Sequence, residues 1–252
     1  MYRVMSFNLL CAGRALRTWR KRVPKVISII KEVNPDSFGV QEAHWGWMKK
    51  LCRYLPEYAY VGVGREDGKK DGEFSAVFYK KNKFTASDSG NFWISETPEK
   101  PSKGWDSACT RIATYVKLTD NETGKSYFHF NTHLDHVGRV AQINGAKMIQ
   151  EKAASFGGVP VVCTGDFNVY QDSDCYNTMI SGNMKDARKL APDTDECYTF
   201  HGFRPNEIQE RIDFVFVDEA TVKPVNFKVV NKLVDGDFYS DHNAVYSDIE
   251  LI

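Results

Sequence analysis

Short apolar runs that end on polar residues recur along the chain, and they restrict the possible folds more than any other feature. The run VVCTG at 161–165 leads directly to Asp166 and Asn168. Runs of this length that are rich in β-branched residues are typical of buried strands. Because a sheet gathers such strand ends along one edge, residues distant in sequence can line one cleft there. The pattern therefore predicts a strand-rich protein with a polar cleft.

Helical patterns separate some of these strands. Apolar residues at 23, 26, 27, 30 and 33 share one helix face, and similar spacing predicts helices at 45–55 and 139–156. Residues 91–110 show no sustained periodicity, so a long loop is expected there. Strands are predicted at residues 4–9, 37–41, 58–63, 74–79, 111–118, 127–132, 159–164, 212–217, 225–230 and 244–251. The mixture indicates an α/β protein.

Length and charge narrow the class of protein. A chain of 252 residues with 42% hydrophobic composition is long enough for a well-buried core, and we expect one domain over residues 1–252. Lysine and arginine together number 33, as do aspartate and glutamate. There is thus no global positive charge that would attract duplex DNA over long range.

The cysteine spacing and the hydropathy of the chain indicate in which cellular compartment the protein is expected. The six cysteines are widely spaced without a C-x-x-C pair, which disfavours a zinc ribbon and a disulfide scaffold. No run approaches the ~20 apolar residues of a membrane span, and the N-terminus lacks a signal-peptide pattern. We expect a cytoplasmic protein without stable membrane insertion; a secreted protein with a removed signal peptide would give the same picture.

Polar residues follow or precede at least six predicted strands. Each of them alone has a simple structural explanation as a helix cap, a turn residue or a solvated strand end. Together they predict a shared cleft, because turns alone do not require so many carboxylates, amides and histidines. The residues are Asn8, Glu42, His133, Asp166, Asn168, Asp213, Asp241 and His242.

The motifs that hold these residues occur in an ordered series. They are SFN (6–8), QE (41–42), NTHLD (131–135), GDFN (165–168), RIDFVFV (211–217) and SDHNAV (240–245). The series resembles the endonuclease/exonuclease/phosphatase superfamily over essentially the whole chain. The resemblance implies a four-layer α/β/β/α sandwich of two packed mixed β-sheets flanked by helices, with the active site at one edge of the sandwich.

The resemblance also implies roles for individual residues. Glu42, Asn8 and Asp241 match positions that hold or support Mg²⁺, with Mn²⁺ as a possible substitute. Asp166 would lie next to the attacking water, Asn168 near a phosphoryl oxygen and His133 near the leaving oxygen. Asp213 would orient His242, and Glu73 is the candidate partner of His133. A transition-metal site is the less favoured alternative, because no ligand spacing such as H-E-x-x-H is present.

Three further residues are candidates for substrate binding. Arg111 matches a family arginine near the substrate, although a strand-end salt bridge is an equal alternative. Trp93 and Trp105 either cover the sheet or form an apolar wall over the substrate. Leu10 and residues 208–210 depart from the abasic-site endonucleases, so an aromatic wedge for an extruded sugar is not evident.

The resulting expectation is a Mg²⁺-dependent hydrolase that cleaves a phosphodiester or phosphomonoester with an Asp/His-activated water and no covalent intermediate. Its partner would be a phosphate-ester substrate, either a small molecule or nucleic acid, and protein partners stay unknown from the sequence. A nuclease and a non-catalytic phosphate-binding module are the alternatives. The basic segment 14–25 is either a phosphate-binding patch or a solvated helix face.

Overall fold

The structure is a computed structural model that describes residues 1–11 and 19–252. The helices are α1 (Trp19–Val33), α2 (Trp45–Tyr54), α3 (Arg139–Ala154), α4 (Asp174–Met179) and α5 (Ala187–Leu190). The strands are β1 (Tyr2–Asn8), β2 (Ser37–Gln41), β3 (Ala43–His44), β4 (Tyr58–Val61), β5 (Glu73–Phe74), β6 (Val77–Lys80), β7 (Phe84–Trp93), β8 (Ile112–Asp120), β9 (Ser126–His133), β10 (Val161–Asp166), β11 (Met184–Asp186), β12 (Asp193–Thr194), β13 (Asp213–Asp218), β14 (Val222–Pro224), β15 (Asn226–Val229) and β16 (Val245–Leu251).

Two large sheets pack against each other. The first has the order β12-β15-β16-β1-β2-β6-β4, with β14 also paired to β16, and the second has the order β11-β13-β10-β9-β8-β7. Both are mixed, since β1 pairs parallel to β2 but antiparallel to β16, and β10 pairs parallel to β9 but antiparallel to β13. Helices α1 and α2 cover the first sheet, while α3 and α4 cover the second. The predicted four-layer α/β/β/α sandwich is confirmed.

The central strands are apolar on both faces because each face contacts a different layer. In β1, Val4 faces the layer between the sheets, while Met5 and Phe7 face the helices. In β13, Val215 faces the layer between the sheets and Phe216 faces the helices that cover the second sheet. Side chains alternate between faces along a strand, so burial of both faces produces a continuous apolar run.

The interior between the sheets also holds a polar network. The Asn131 side chain accepts from Gln41 Nε2 (2.7 Å) and donates to the Val40 carbonyl (2.8 Å). Thr164 Oγ1 donates to Asn131 Oδ1 (3.0 Å). The sheets approach closely here, since a Cβ on Gly39 would lie 2.1 Å from Asn131 Oδ1. These hydrogen bonds fix the alignment of the two sheets next to the ends of β1 and β10.

Some elements differ from the sequence expectation. The predicted loop at 91–110 overlaps β7, an edge strand whose sequence TASDSGN is largely exposed and so lacks an apolar pattern. The predicted strand at 74–79 is two strands, β5 and β6. Of the basic segment, residues 14–18 lie outside the described part of the chain, and residues 19–25 begin α1. Arg22 in that helix is buried and donates to the carbonyls of Leu9 and Leu10.

Among the described residues, no helix combines the length and the apolar composition that crossing a bilayer requires.

Candidate active site

Three adjacent strands of the second sheet carry an ionisable residue at the same edge of the sheet. In the strand register, His133 of β9 lies opposite Asp166 of β10, and Asp166 lies opposite Asp213 of β13. Each of these residues is almost fully buried. On the first sheet, Asn8 of β1 lies opposite Gln41 of β2, and Glu42 follows directly. The predicted convergence of strand ends is therefore present in the structure.

Asp166 is the carboxylate on which the other groups converge. Its Oδ2 accepts a hydrogen bond from Asn8 Nδ2 (2.9 Å), and its Oδ1 accepts one from the Asn168 backbone N–H (3.0 Å). His133 Nε2 lies 3.5 Å and His242 Nε2 lies 3.7 Å from Asp166 Oδ2. Burial, together with the charge of Asp213, raises the pKa of the Asp166 carboxyl, although His242 and Asn8 act in the opposite direction.

His242 and Asp213 form a buried pair. His242 Nδ1 lies 2.8 Å from Asp213 Oδ2, and the Phe200 ring lies 4.7 Å from the imidazole ring. Burial alone would lower the pKa of His242, but the charge and hydrogen bond of Asp213, aided by Asp166, raise it above its ordinary value. The pair therefore presents Nε2 of a cationic imidazole to the cleft.

Glu42 lies on the first sheet's side of the cleft. Its two oxygens accept from Asn8 Nδ2 (3.2 Å) and from the Cys11 backbone N–H (2.7 Å). Its φ is +56°, a backbone conformation that non-glycine residues rarely adopt and that is common at functional sites. Burial alone would raise the pKa of Glu42, but the Cys11 N–H, the His242 charge and the Asn8 amide lower it below its ordinary value. Glu42 therefore remains ionised in the cleft.

Asn8 and Asp241 complete this side. The Asn8 amide nitrogen bridges Glu42 and Asp166, and its oxygen accepts from the Leu10 N–H (2.9 Å). Asn8 thus supports the carboxylates as a donor in this arrangement. Asp241 is half-buried; burial raises its pKa, and the charge of Glu42 adds to this effect.

His133 and Glu73 lie on the opposite side of Asp166 from His242. His133 Nδ1 is buried, has no hydrogen-bond partner among the described residues, and lies 3.9 Å from Glu73 Oε2. Glu73 Oε2 instead accepts a hydrogen bond from Arg65 Nη1 (2.6 Å). Burial, followed by the charges of Arg111 and Arg65, lowers the pKa of His133 well below its ordinary value. His133 is therefore a neutral imidazole at neutral pH.

Arg111 forms the salt bridge that was one of its two predicted roles. Its Nε lies 3.4 Å from Asp135 Oδ2 and its Nη2 lies 3.0 Å from His136 Nδ1. Its Nη1 is buried without a hydrogen-bond partner in the described part of the chain. The salt bridge is thus present, and one guanidinium nitrogen makes no bond within the described residues.

The tryptophans and Asn168 have different surroundings. Trp93 is 6% exposed and its Nε1 donates to the Arg65 carbonyl (2.7 Å), which agrees with the sheet-covering alternative. Trp105 is partly buried and packs against the core under α3. Asn168, with φ +52°, donates from Nδ2 to the Leu134 carbonyl (3.0 Å). Its second amide hydrogen makes no bond within the described residues.

Three residues that sequence reasoning did not single out organise the cleft. Asp135 accepts from the N–H groups of Ala108, Cys109, Val137 and Gly138, at 2.8–3.1 Å. Arg65 holds Glu73, and Arg22 holds the segment after β1. Asp135 lies within the NTHLD motif, which was a usable signal, whereas nothing local distinguishes Arg65 or Arg22.

Two groups of side chains have the composition of a cation site. In one, ligand atoms of Asp166, Asp213 and His242 lie within 4.8 Å of one another. With the adjacent Glu42 and Asp241, this cleft offers several carboxylate oxygens, which suits a hard ion such as Mg²⁺. In the other, Cys109, Asp135 and His136 are equally close, but the Arg111 guanidinium already contacts Asp135 and His136. His242 in the first group is itself cationic and paired with Asp213, so a cation would take the carboxylate oxygens of Glu42, Asp241 and Asp166 there. The second group does not fit a cation, because the guanidinium occupies it.

A two-sheet sandwich with acids, amides and two histidines at one edge is the architecture expected of the endonuclease/exonuclease/phosphatase superfamily. Residues 5–242 match the model of the Endonuclease/Exonuclease/phosphatase family. The chain belongs to this family, whose members are phosphoester hydrolases. The recognition made from the motifs is thereby confirmed.

Two solved structures match the chain over essentially its full length, and a viral relative matches three quarters of it. A Bacteroides vulgatus endonuclease/exonuclease/phosphatase structure is 40% identical with a TM-score of 0.94, covering 100% of this chain and 99% of that one. A Bacteroides thetaiotaomicron mannosyl-6-phosphatase structure is 32% identical with a TM-score of 0.91, covering 99% and 100%. Uncharacterized protein L388 of Acanthamoeba polyphaga mimivirus is 26% identical over 201 residues, which are 75% of this chain and 74% of that protein.

Proposed function

We propose that the protein is a divalent-metal-dependent phosphomonoesterase that acts on a small phosphate ester. The observation that carries the proposal is the arrangement around Asp166 Oδ2. Asn8 Nδ2 lies at 2.9 Å, His133 Nε2 at 3.5 Å and His242 Nε2 at 3.7 Å from this single atom. A carboxylate flanked by a neutral and a cationic imidazole suits proton transfer from water to a leaving oxygen at phosphorus.

Each side chain has a role in this proposal. Asp166, held by Asn8 and by the Asn168 N–H, orients the attacking water and accepts its proton. His242, oriented by Asp213, and the free amide hydrogen of Asn168 contact the nonbridging phosphate oxygens as negative charge develops on them. Neutral His133 would lie near the leaving oxygen and donate a hydrogen bond to it from its N–H. The proton that Asp166 accepts from the water passes to this departing oxygen. Water attacks phosphorus directly, without a covalent intermediate.

Glu42 is the proposed principal ligand of Mg²⁺ or Mn²⁺, with Asp241 beside it and Asn8 supporting the carboxylate. The ion supplies charge neutralisation to the phosphate when it is bound. The support from this chain is that Glu42 is ionised, held by two donors, and close to other hard oxygen donors. Arg111 Nη1 adds an unpaired donor for the phosphate.

The choice of a monoester rests on similarity and on charge. The relative of 32% identity that covers the whole chain is named as a mannosyl-6-phosphatase. The formal net charge of this chain is +0, with 33 basic and 33 acidic residues, and this balance gives no general attraction to a polyanion. Both observations favour a small substrate over nucleic acid.

The experiment is a substrate screen with Mg²⁺, with Mn²⁺ and with a chelator. The substrates are p-nitrophenyl phosphate, bis-p-nitrophenyl phosphate, hexose 6-phosphates and single-stranded oligonucleotide. We expect metal-dependent release of phosphate from monoesters, and a loss of at least about 10²-fold in Glu42→Ala and in His242→Ala, because each removes a transition-state contact worth a few kcal/mol.

Glu219→Gln is the matched control, since Glu219 is exposed and follows β13 at the end opposite Asp213. It should retain full activity. Unchanged rates in both cleft variants would refute the assignment. Preferential cleavage of the oligonucleotide, fading steeply with salt, would favour the nuclease alternative. Phosphate binding without turnover of any substrate would favour the non-catalytic alternative.

A further inference from the structure

A groove of about 390 Å³ opens beside Asn168. One wall is the start of α3 with the residues before it, including His136 and Arg139, and the other wall is the segment at 168–175 that follows β10. Its volume falls in the range of small-molecule sites. None of the roles proposed above uses this groove beyond Asn168.

The groove adjoins the phosphate cleft through two of its lining residues. Asn168 lines the groove and is bonded through its backbone N–H to Asp166. His136 also lines it, and its Nδ1 contacts Nη2 of Arg111, whose Nη1 is the unpaired buried donor. A substrate whose phosphate lies between Asp166 and Arg111 therefore has its remaining atoms beside this groove.

The charged side chains of the groove are free to bind a ligand. Arg139 and Asp172 are exposed, as is Asp174, and their side chains make no hydrogen bond or ion pair within the described residues. Guanidinium groups donate hydrogen bonds, whereas carboxylates only accept them. The groove thus offers donors and acceptors on facing walls, which matches a ligand whose groups do both.

Tyr170 provides an apolar surface at the same place. It is 54% exposed, and its hydroxyl donates to Glu210 Oε1 (2.9 Å), which fixes the ring at the groove. Val169 and Ile143 form an apolar floor. An aromatic face beside charged hydrogen-bonding groups suits a ring that has C–H faces and hydroxyl edges.

We infer that this groove is the subsite for a neutral polyhydroxylated leaving group, that is, the sugar ring of a sugar phosphate monoester. This inference rests on the proposed function and deepens it. Hydroxyl groups can donate to Asp172 and Asp174 and accept from Arg139. A second phosphate, as in a polynucleotide or a bisphosphate, would face two carboxylates and only one guanidinium, and is disfavoured. The groove therefore selects the alcohol part of the substrate.

The test compares hexose 6-phosphates with p-nitrophenyl phosphate, which undergoes the same reaction but lacks the hydroxyl groups. In Asp172→Asn and in Arg139→Gln, we expect kcat/KM for the preferred hexose 6-phosphate to fall about tenfold, mainly through KM, because one hydrogen bond to a charged group is lost. The fall for p-nitrophenyl phosphate should be at least fivefold smaller. Glu219→Gln serves as the control and should leave both substrates unaffected.

Each outcome decides the inference. Equal losses on both substrates, or no loss on either, would overturn the subsite while leaving the phosphatase intact. Metal-dependent hydrolysis of p-nitrophenyl phosphate without turnover of any hexose phosphate would do the same. Failure on every phosphate ester would reject the proposed function and the subsite together. A larger loss for an oligonucleotide than for a hexose phosphate would assign the groove to nucleic acid instead.

Discussion

At the scale of single residues, the site depends on side chains that hold other side chains. His242 has its Nδ1 on Asp213 at 2.8 Å, so its other nitrogen can face only the cleft. Asn8 uses one amide nitrogen to hold the Glu42 and Asp166 carboxylates together. Without these donors, the like-charged carboxylates would repel each other in a poorly solvated cleft.

Asp213→Asn tests this dependence directly. The amide keeps the size of the side chain but cannot stabilise a cationic imidazole, so we expect kcat to fall at least about 10²-fold. The control is Asp218→Asn at the other end of the same strand, which should keep its activity. Both variants should unfold cooperatively on heating. An Asp213→Asn enzyme with more than a tenth of the parent kcat would show that the pair is not required.

At the scale of elements, two loops beside the cleft are held by one buried acid. Asp135 receives backbone N–H groups from both the segment before β8 and the segment before α3. These hydrogen bonds outweigh the effect of burial and lower the pKa of Asp135 below its ordinary value. The same acid contacts Arg111, so one carboxylate holds both loops and the guanidinium proposed to bind the phosphate.

Asp135→Ala should therefore loosen both segments. Four backbone donors lose their acceptor, and we expect the amides of residues 108, 109, 137 and 138 to exchange with solvent at least tenfold faster. Hydrogen exchange followed by mass spectrometry measures this effect. Asp135→Asn, which keeps an acceptor oxygen, should show an intermediate effect. Unchanged exchange at these amides in Asp135→Ala would contradict the role assigned to the carboxylate.

At the scale of the whole molecule, the interior between the two sheets is partly polar. His129 is fully buried, with Nδ1 2.7 Å from Ser37 Oγ and Nε2 2.9 Å from Thr164 Oγ1. Burial lowers its pKa to about 3. A histidine that stays neutral in the folded protein but takes a proton when unfolded links stability to pH.

The sign of this linkage is fixed by the depressed pKa. The contribution of neutral His129 to the stability of the folded protein is fully present above about pH 6.5, the pKa of histidine in the unfolded chain. It is lost as the pH falls from there towards 3. The free energy of unfolding in urea is measured at pH 5 and at pH 6 for the parent protein and for His129→Gln. We expect the increase in this free energy per pH unit to be about 1 kcal/mol smaller in the variant. Other titrating groups are common to both proteins and cancel in the comparison. Equal slopes would show that His129 is protonated in the folded state.

The sequence alone predicted some strands and site residues of the molecule but not others. Strands such as β2 were predicted because both of their faces are buried and their apolar runs are continuous. Strand β7 was missed because an edge strand with exposed polar residues has no such run. The cleft residues were predicted from motifs at strand ends. Arg65 and the groove at Tyr170 were not, since their role arises from segments that meet only in three dimensions.

The central claim is that the strand ends of both sheets assemble one site for a divalent ion and a phosphate. The most direct measurement is an anomalous-scattering crystal structure of the protein with Mn²⁺ and phosphate. We predict an ion peak within ~2.5 Å of a Glu42 carboxylate oxygen, with a phosphate oxygen within hydrogen-bond distance of His242 Nε2. An ion bound at Cys109, Asp135 and His136 instead, or a phosphate that does not contact His242, would contradict this account.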